Sequence, residues 1–109
     1  MKRSLIYIGL SALMILSSAA AYAEDYTITI QNHQFSPKEL TVPAGQKIKI
    51  TVKNLDTTPA EFESSDLNRE KVVGAASQIN VFIGPLDAGH YGYFDDFHRD
   101  TTTGTIIAK

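Results

Sequence analysis

From residue 25 onward, apolar and polar residues alternate in short bursts, the period that puts successive side chains on opposite faces of a β-strand. Residues 26–30, Tyr-Thr-Ile-Thr-Ile, form the first burst, Phe35-Ser36-Pro37 breaks it, and residues 39–42 briefly resume it. Pro43-Ala44-Gly45 predicts a turn in which Gly45 can supply a left-handed residue. The clearest strand follows at 46–53: Ile48, Ile50 and Val52 face one way, and Lys47, Lys49, Thr51 and Lys53 the other. One face is core and the other is wet. Residues 54–59 predict a loop, and 60–64 a short strand. The stretch 65–72 is compatible with a loop holding one helical turn through Asp66, Leu67, Arg69 and Glu70. Ile79, Val81 and Ile83 mark another strand, closed by Gly84-Pro85. After a turn at 87–89, a strand runs through Tyr91, Tyr93 and Phe94. A polar loop at 95–102 then leads to a last strand at 103–108. No long amphipathic helix interrupts the series. Evenly spaced short strands with turn signals between them predict an all-β chain, a single-domain β-sandwich over residues 24–109.

The first 23 residues have a different pattern. Lys2 and Arg3 precede an apolar run from Leu5 to Leu16, and Ala21-Tyr22-Ala23 puts small residues at the two positions that a signal peptidase reads. That run is short of the roughly 20 residues a spanning helix needs. The expectation is a cleaved signal peptide at 1–23, a periplasmic location, and a mature form that is not embedded in the membrane.

All 12 acidic residues follow position 23, whereas two of the 10 basic residues lie before it. The remainder is therefore more acidic than the whole chain, whose formal net charge is −2. That balance argues against nucleic acid as a partner and is compatible with a cation or a basic protein. There is no cysteine, so no disulfide assists the core.

Several phrases resemble the cupredoxin superfamily. Phe35-Ser36-Pro37, then Leu40-Thr41-Val42-Pro43-Ala44-Gly45, then the alternating strand ending at Asn54, are similar to that family's opening. Gly89-His90-Tyr91-Gly92-Tyr93-Phe94 is similar to its strand leading into the metal loop. The phrases at 59–64, at 70–73 and at 94–98 (Phe-Asp-Asp-Phe-His) look like the cupredoxin-like domains of periplasmic iron-uptake systems, including the EfeO-type proteins. The resemblance implies a cupredoxin-like Greek-key sandwich that binds a divalent transition metal, Cu or Fe. It also implies a role in iron or copper uptake, in assisting Fe(II) oxidation or in delivery to an inner-membrane iron permease or a periplasmic partner.

Against the blue-copper pattern the ligand positions have changed. Ala60 stands where the first histidine follows the loop proline, Asp95 stands at the cysteine position, and Thr101 to Thr103 occupy the methionine region. Only His98 is retained. A blue-copper centre requires a thiolate–copper bond, so none can form here.

The candidate metal ligands are Glu61, Glu63, Asp95 and His98, with Asp96 as a further or supporting group. Glu61 and Glu63 are two apart on a strand and share a face, with Phe62 turned to the core. Asp95 and His98 are three apart, a spacing at which a tight turn can present both to one ion. Carboxylates with one imidazole suit Fe, Mn, Zn or Cu(II). If the loops at 59–64 and 95–100 are adjacent, these groups converge; otherwise each is an ordinary surface acid. His33 reads as a solvated loop residue, His90 as a surface one, and Glu70 and Lys71 as a salt bridge that fixes the 65–72 loop. The competing reading of the chain is a structural or protein-interaction domain on the same fold without a metal. Hydrolysis is disfavoured, because Ser64, Ser65 and Ser77 lack the setting of a nucleophile.

Overall fold

The alternation in the fourth strand shows how the molecule is built: Ile48, Ile50 and Val52 are fully buried, whereas the lysines between and beside them are not. The computed structural model describes residues 25–109, and the signal peptide expected at 1–23 lies outside them. Nine strands follow in order: β1 (Asp25–Gln31), β2 (Gln34–Ser36), β3 (Glu39–Val42), β4 (Ile48–Asn54), β5 (Ala60–Ser64), β6 (Arg69–Val73), β7 (Gln78–Ile83), β8 (Gly89–Asp95) and β9 (Thr103–Ala108). They form two sheets, ordered β2-β1-β4-β7 and β3-β9-β8-β5-β6. Parallel pairing joins β1 to β4 and β3 to β9, and the other pairs are antiparallel. The chain thus crosses repeatedly between the sheets, as a Greek-key sandwich does.

The inner faces meet along Ile28, Ile30, Val81 and Ile83 from one sheet and Val42, Phe62, Tyr93 and Ile106 from the other. Tyr93 is the hub of the aromatic packing, edge-on to Phe35 at 4.8 Å and stacked on Phe62 at 5.0 Å. Such burial removes most of the apolar surface from water at about 25 cal/mol per Å². Gly45, at φ 76°, takes the left-handed position expected of it.

Three local expectations change. Gln34–Ser36 pairs with the end of β1 rather than merely breaking it. Residues 65–68 turn without a helix, and 69–73 form β6. Asn68, left-handed at φ 55°, allows that reversal. The loop at 95–102 contains one 3₁₀ turn, Asp96–His98, capped by the Asp95 carboxylate. No described helix is long and apolar enough to cross a membrane.

Candidate metal sites

Strand parity separates the three predicted ligands that lie on strands, and the 3₁₀ turn carries the other two, Asp96 and His98. In an antiparallel ladder, directly opposed residues share a face. Phe62 opposes both Asp95 and Lys71, while Glu63 opposes both Phe94 and Glu70. Asp95 therefore lies on the inward face with Phe62, and Glu61 and Glu63 lie on the outward face. The single cluster of Glu61, Glu63, Asp95 and His98 does not form.

On the outward face, Glu61, Glu63 and Glu70 each present a carboxylate oxygen, and these oxygens lie within 4.8 Å of one another. β5 supplies the first two at i and i+2, and β6 supplies the third directly across from Glu63. Asp96 extends the group, hydrogen bonded to Glu61. Arg99 donates to Asp96 at 2.6 Å and lies over the Phe94 ring at 4.5 Å. Partial desolvation, reinforced by the surrounding carboxylates, raises the pKa of both Glu61 and Glu63. The Arg99 hydrogen bond lowers that of Asp96. Of the Glu61–Asp96 pair, Glu61 is thus the one that takes a shared proton. A partly exposed carboxylate cluster of this kind can accept a hard or borderline cation through oxygen.

Asp95 has a different role. It is 1% exposed, and its carboxylate is occupied by protein donors. Oδ1 accepts from the backbone N–H groups of Glu61 (2.9 Å) and Phe97 (3.0 Å), and Oδ2 faces His98 Nδ1 at 3.0 Å. The aspartate at the cysteine position thus pins the 3₁₀ turn to β5 and orients His98, rather than offering an open ligand. Ala60, where a first histidine would stand, is itself 2% exposed. Neither the donor set nor its access fits a thiolate-type copper centre.

Several contributors escaped the sequence reading. Glu70 does not pair with Lys71, because neighbours on a strand point to opposite faces. Lys71 Nζ instead donates to the Asn80 carbonyl, and Arg69, on the same face as Lys71, donates to that of Phe82. Only recognition of β6, from Lys71-Val72-Val73 after a turn-forming Asn68, could have placed Glu70 opposite Glu63. His33 is half-buried, with its ring centroid 4.0 Å from that of His98. Nothing in the local sequence signals that contact. His90 is exposed, as expected.

Comparison with known proteins agrees with this architecture. The family model of the cupredoxin-like domain matches residues 4–108. An uncharacterised protein of Rickettsia prowazekii (strain Madrid E) is 48% identical over 82 residues, 75% of this chain, and the matched stretch spans 66% of that relative's length. Among solved structures, auracyanin A, a "blue" copper protein from Chloroflexus aurantiacus, superposes with a TM-score of 0.70 at 17% identity, covering 79% of this chain and 98% of that one. Amicyanin from Paracoccus versutus gives a TM-score of 0.64 at 17% identity, covering 85% and 87%. Structures this distant in sequence testify to the fold alone. With the family model spanning nearly the whole chain, the protein belongs to the cupredoxin-like domain family.

Proposed function

We propose that this protein is a periplasmic metal-binding cupredoxin-like domain that serves iron or copper uptake, carrying the ion as cargo to a membrane permease. The observation that supports it is the outward-facing triad Glu61, Glu63 and Glu70, with ligand oxygens within 4.8 Å of one another on two adjacent strands. Partial desolvation first, and repulsion from neighbouring carboxylates second, raise the pKa of Glu61 and Glu63, so both disfavour the charged form. A divalent ion relieves that repulsion, and oxygen donors favour Fe, Mn or Zn over the soft Cu(I) ion. An exposed site on a sheet face also suits release: the ion remains accessible to a receiving protein. Export and the permease partner rest on the leader-like first 23 residues and on the likeness to iron-uptake domains. The test is calorimetric titration of metal-free protein with Fe(II) under anaerobic conditions, and with Mn(II), Zn(II) and Cu(II), beside a Glu61→Gln/Glu63→Gln variant. The variant is expected to bind Fe(II) at least tenfold more weakly, a loss of about 1.4 kcal/mol. Equal Fe(II) binding by both proteins would refute the carboxylate site.

A further inference from the structure

Next to the carboxylate group, in the same 3₁₀ turn that carries Asp96, His98 meets a second histidine from the opposite sheet. His33 comes from the two-residue turn between β1 and β2, and His98 from the 3₁₀ turn after β8. Their ring centroids are 4.0 Å apart, and the planes are tilted by 32°. Each ring turns Nδ1 toward a carboxylate: His98 to Asp95 at 3.0 Å, and His33 to Asp56 at 3.7 Å. Both carboxylates are in turn fixed by backbone N–H groups. Asp56 accepts from Asn32 at 2.7 Å and His33 at 3.0 Å, and Asp95 accepts from Glu61 and Phe97.

A carboxylate on Nδ1 fixes the proton there in the neutral ring and leaves the Nε2 lone pair free. This is the outer arrangement that orients metal-bound imidazoles and raises their basicity. Here His98 has that arrangement in full, and the His33 ring in contact with it has a carboxylate 3.7 Å from its Nδ1. The two turns are also tied to each other. Thr102, fully buried, donates its hydroxyl to the His33 carbonyl at 2.6 Å, and its N–H donates to the His98 carbonyl at 3.0 Å. One residue, through its hydroxyl and its backbone N–H, thereby sets the spacing of both histidine backbones.

The turn itself adds an independent observation. Asn32 and His33 both have positive φ, 53° and 56°, which marks a type I′ hairpin. Glycine is the favoured residue at its second central position, and the chain carries an imidazole there instead. A side chain in that conformation costs free energy relative to glycine.

We propose that His33 and His98 form a second metal site, one that takes a borderline divalent ion, Cu(II) or Zn(II), through their two Nε2 atoms, with water completing the coordination. Imidazole nitrogens select these ions over the hard ones suited to the carboxylate face. His98, held at 3.0 Å, is the fixed ligand. His33, 45% exposed and held only at 3.7 Å, is the ring that rotates to converge on the ion. The site differs from a blue-copper centre in having no sulfur and in drawing a ligand from the β1–β2 turn.

The probe is Cu(II) alone, followed by electron paramagnetic resonance and by affinity, on tag-free protein. The background is Glu61→Gln/Glu63→Gln/Glu70→Gln, which removes the carboxylate face, so the two sites fail or survive separately. This variant is expected to bind one Cu(II) with hyperfine structure from two nitrogens, and with an affinity within about threefold of the parent's (below 1 kcal/mol). Adding His33→Gly, which suits the turn and keeps the fold, should leave one nitrogen and weaken binding by roughly tenfold or more. Two nitrogens persisting in the His33→Gly protein, oxygen donors alone in the carboxylate-free protein, or no copper uptake by that protein would each overturn the proposal. Thermal unfolding of every variant verifies that a loss of copper is not a loss of fold.

Discussion

Tyr93 shows how much one residue constrains its neighbours. Its side chain is 2% exposed, its ring packs between Phe35 and Phe62, and its hydroxyl is buried without a hydrogen-bond partner among the described residues. Burial pushes its ionisation well above the ordinary phenol range. Opposite it on β9 stands Gly104, where any Cβ would overlap Cζ, Oη and Cε2 of the tyrosine. Gly104 is thus needed for space rather than for a special φ. Removing an unpartnered buried hydroxyl relieves its desolvation, so Tyr93→Phe should leave stability unchanged or raise it by about 1 kcal/mol. Gly104→Ala should cost about 1–3 kcal/mol, since backbone and ring must both shift. Urea unfolding of the two variants checks this, and a Tyr93→Phe protein weaker by more than that same margin would show that the hydroxyl does have a partner. That Tyr93 belongs to the core was legible from its place on an alternating strand. The role of the aspartate two residues on was not: alternation puts Asp95 on the same face as Tyr93, but the Glu61 and Phe97 N–H groups that occupy its carboxylate are brought to it only by the fold.

At the scale of elements, strands with strict alternation were legible nearly to the residue, and β5 and β9 match their predicted bounds. The failures lie where a turn had to be recognised first. β2 is only three residues long and exists because Asn32 and His33 reverse the chain, which the polar composition of 31–34 does not distinguish from a loop. β6 is exposed along most of its length, so it has no apolar alternation to read, and the triad on the outer face depends on it. The reversal before β2 is held from a distance. Asp56 accepts the backbone N–H groups of both left-handed residues, and the His33 bond is the main cause of its lowered pKa. A carboxylate whose folded pKa is depressed stabilises the fold above its unfolded value and loses that contribution as pH falls through the folded one. Asp56→Ala should therefore cost about 1–3 kcal/mol at neutral pH, the worth of two charge-assisted bonds. The gap to the parent should shrink below pH 3.8, the ordinary value, and vanish in stronger acid. A gap that stays constant from neutral pH into strong acid would remove the charge from the explanation.

The two outer faces of the sandwich carry opposite charge, and this sets how the whole molecule responds to pH and to cations. β4 lines one face with Lys49 and Lys53, Lys49 lying 3.7 Å from Asp25, while β5 and β6 line the other with Glu61, Glu63 and Glu70. The acidic face acts in the opposite sense to Asp56. Its glutamates have folded pKa values above the ordinary 4.5, so the folded state holds protons that the unfolded chain has already released. Their contribution is present below that value and is lost as pH rises through the raised one. Metal-free Glu61→Gln/Glu63→Gln protein should accordingly melt at a higher temperature than the parent at neutral pH, with the difference closing below about pH 4.5. A cation bound only by the folded state should reverse the order. At one hundred times its dissociation constant it adds about 2.7 kcal/mol, or roughly 10 °C or more in Tm for a domain of this size. Melting curves with and without Mn(II), at neutral and at acidic pH, separate the two effects. If the metal-free parent already outlasts the glutamine variant at neutral pH, the face is a stabilising surface network, and the repulsion that a bound ion would relieve is absent.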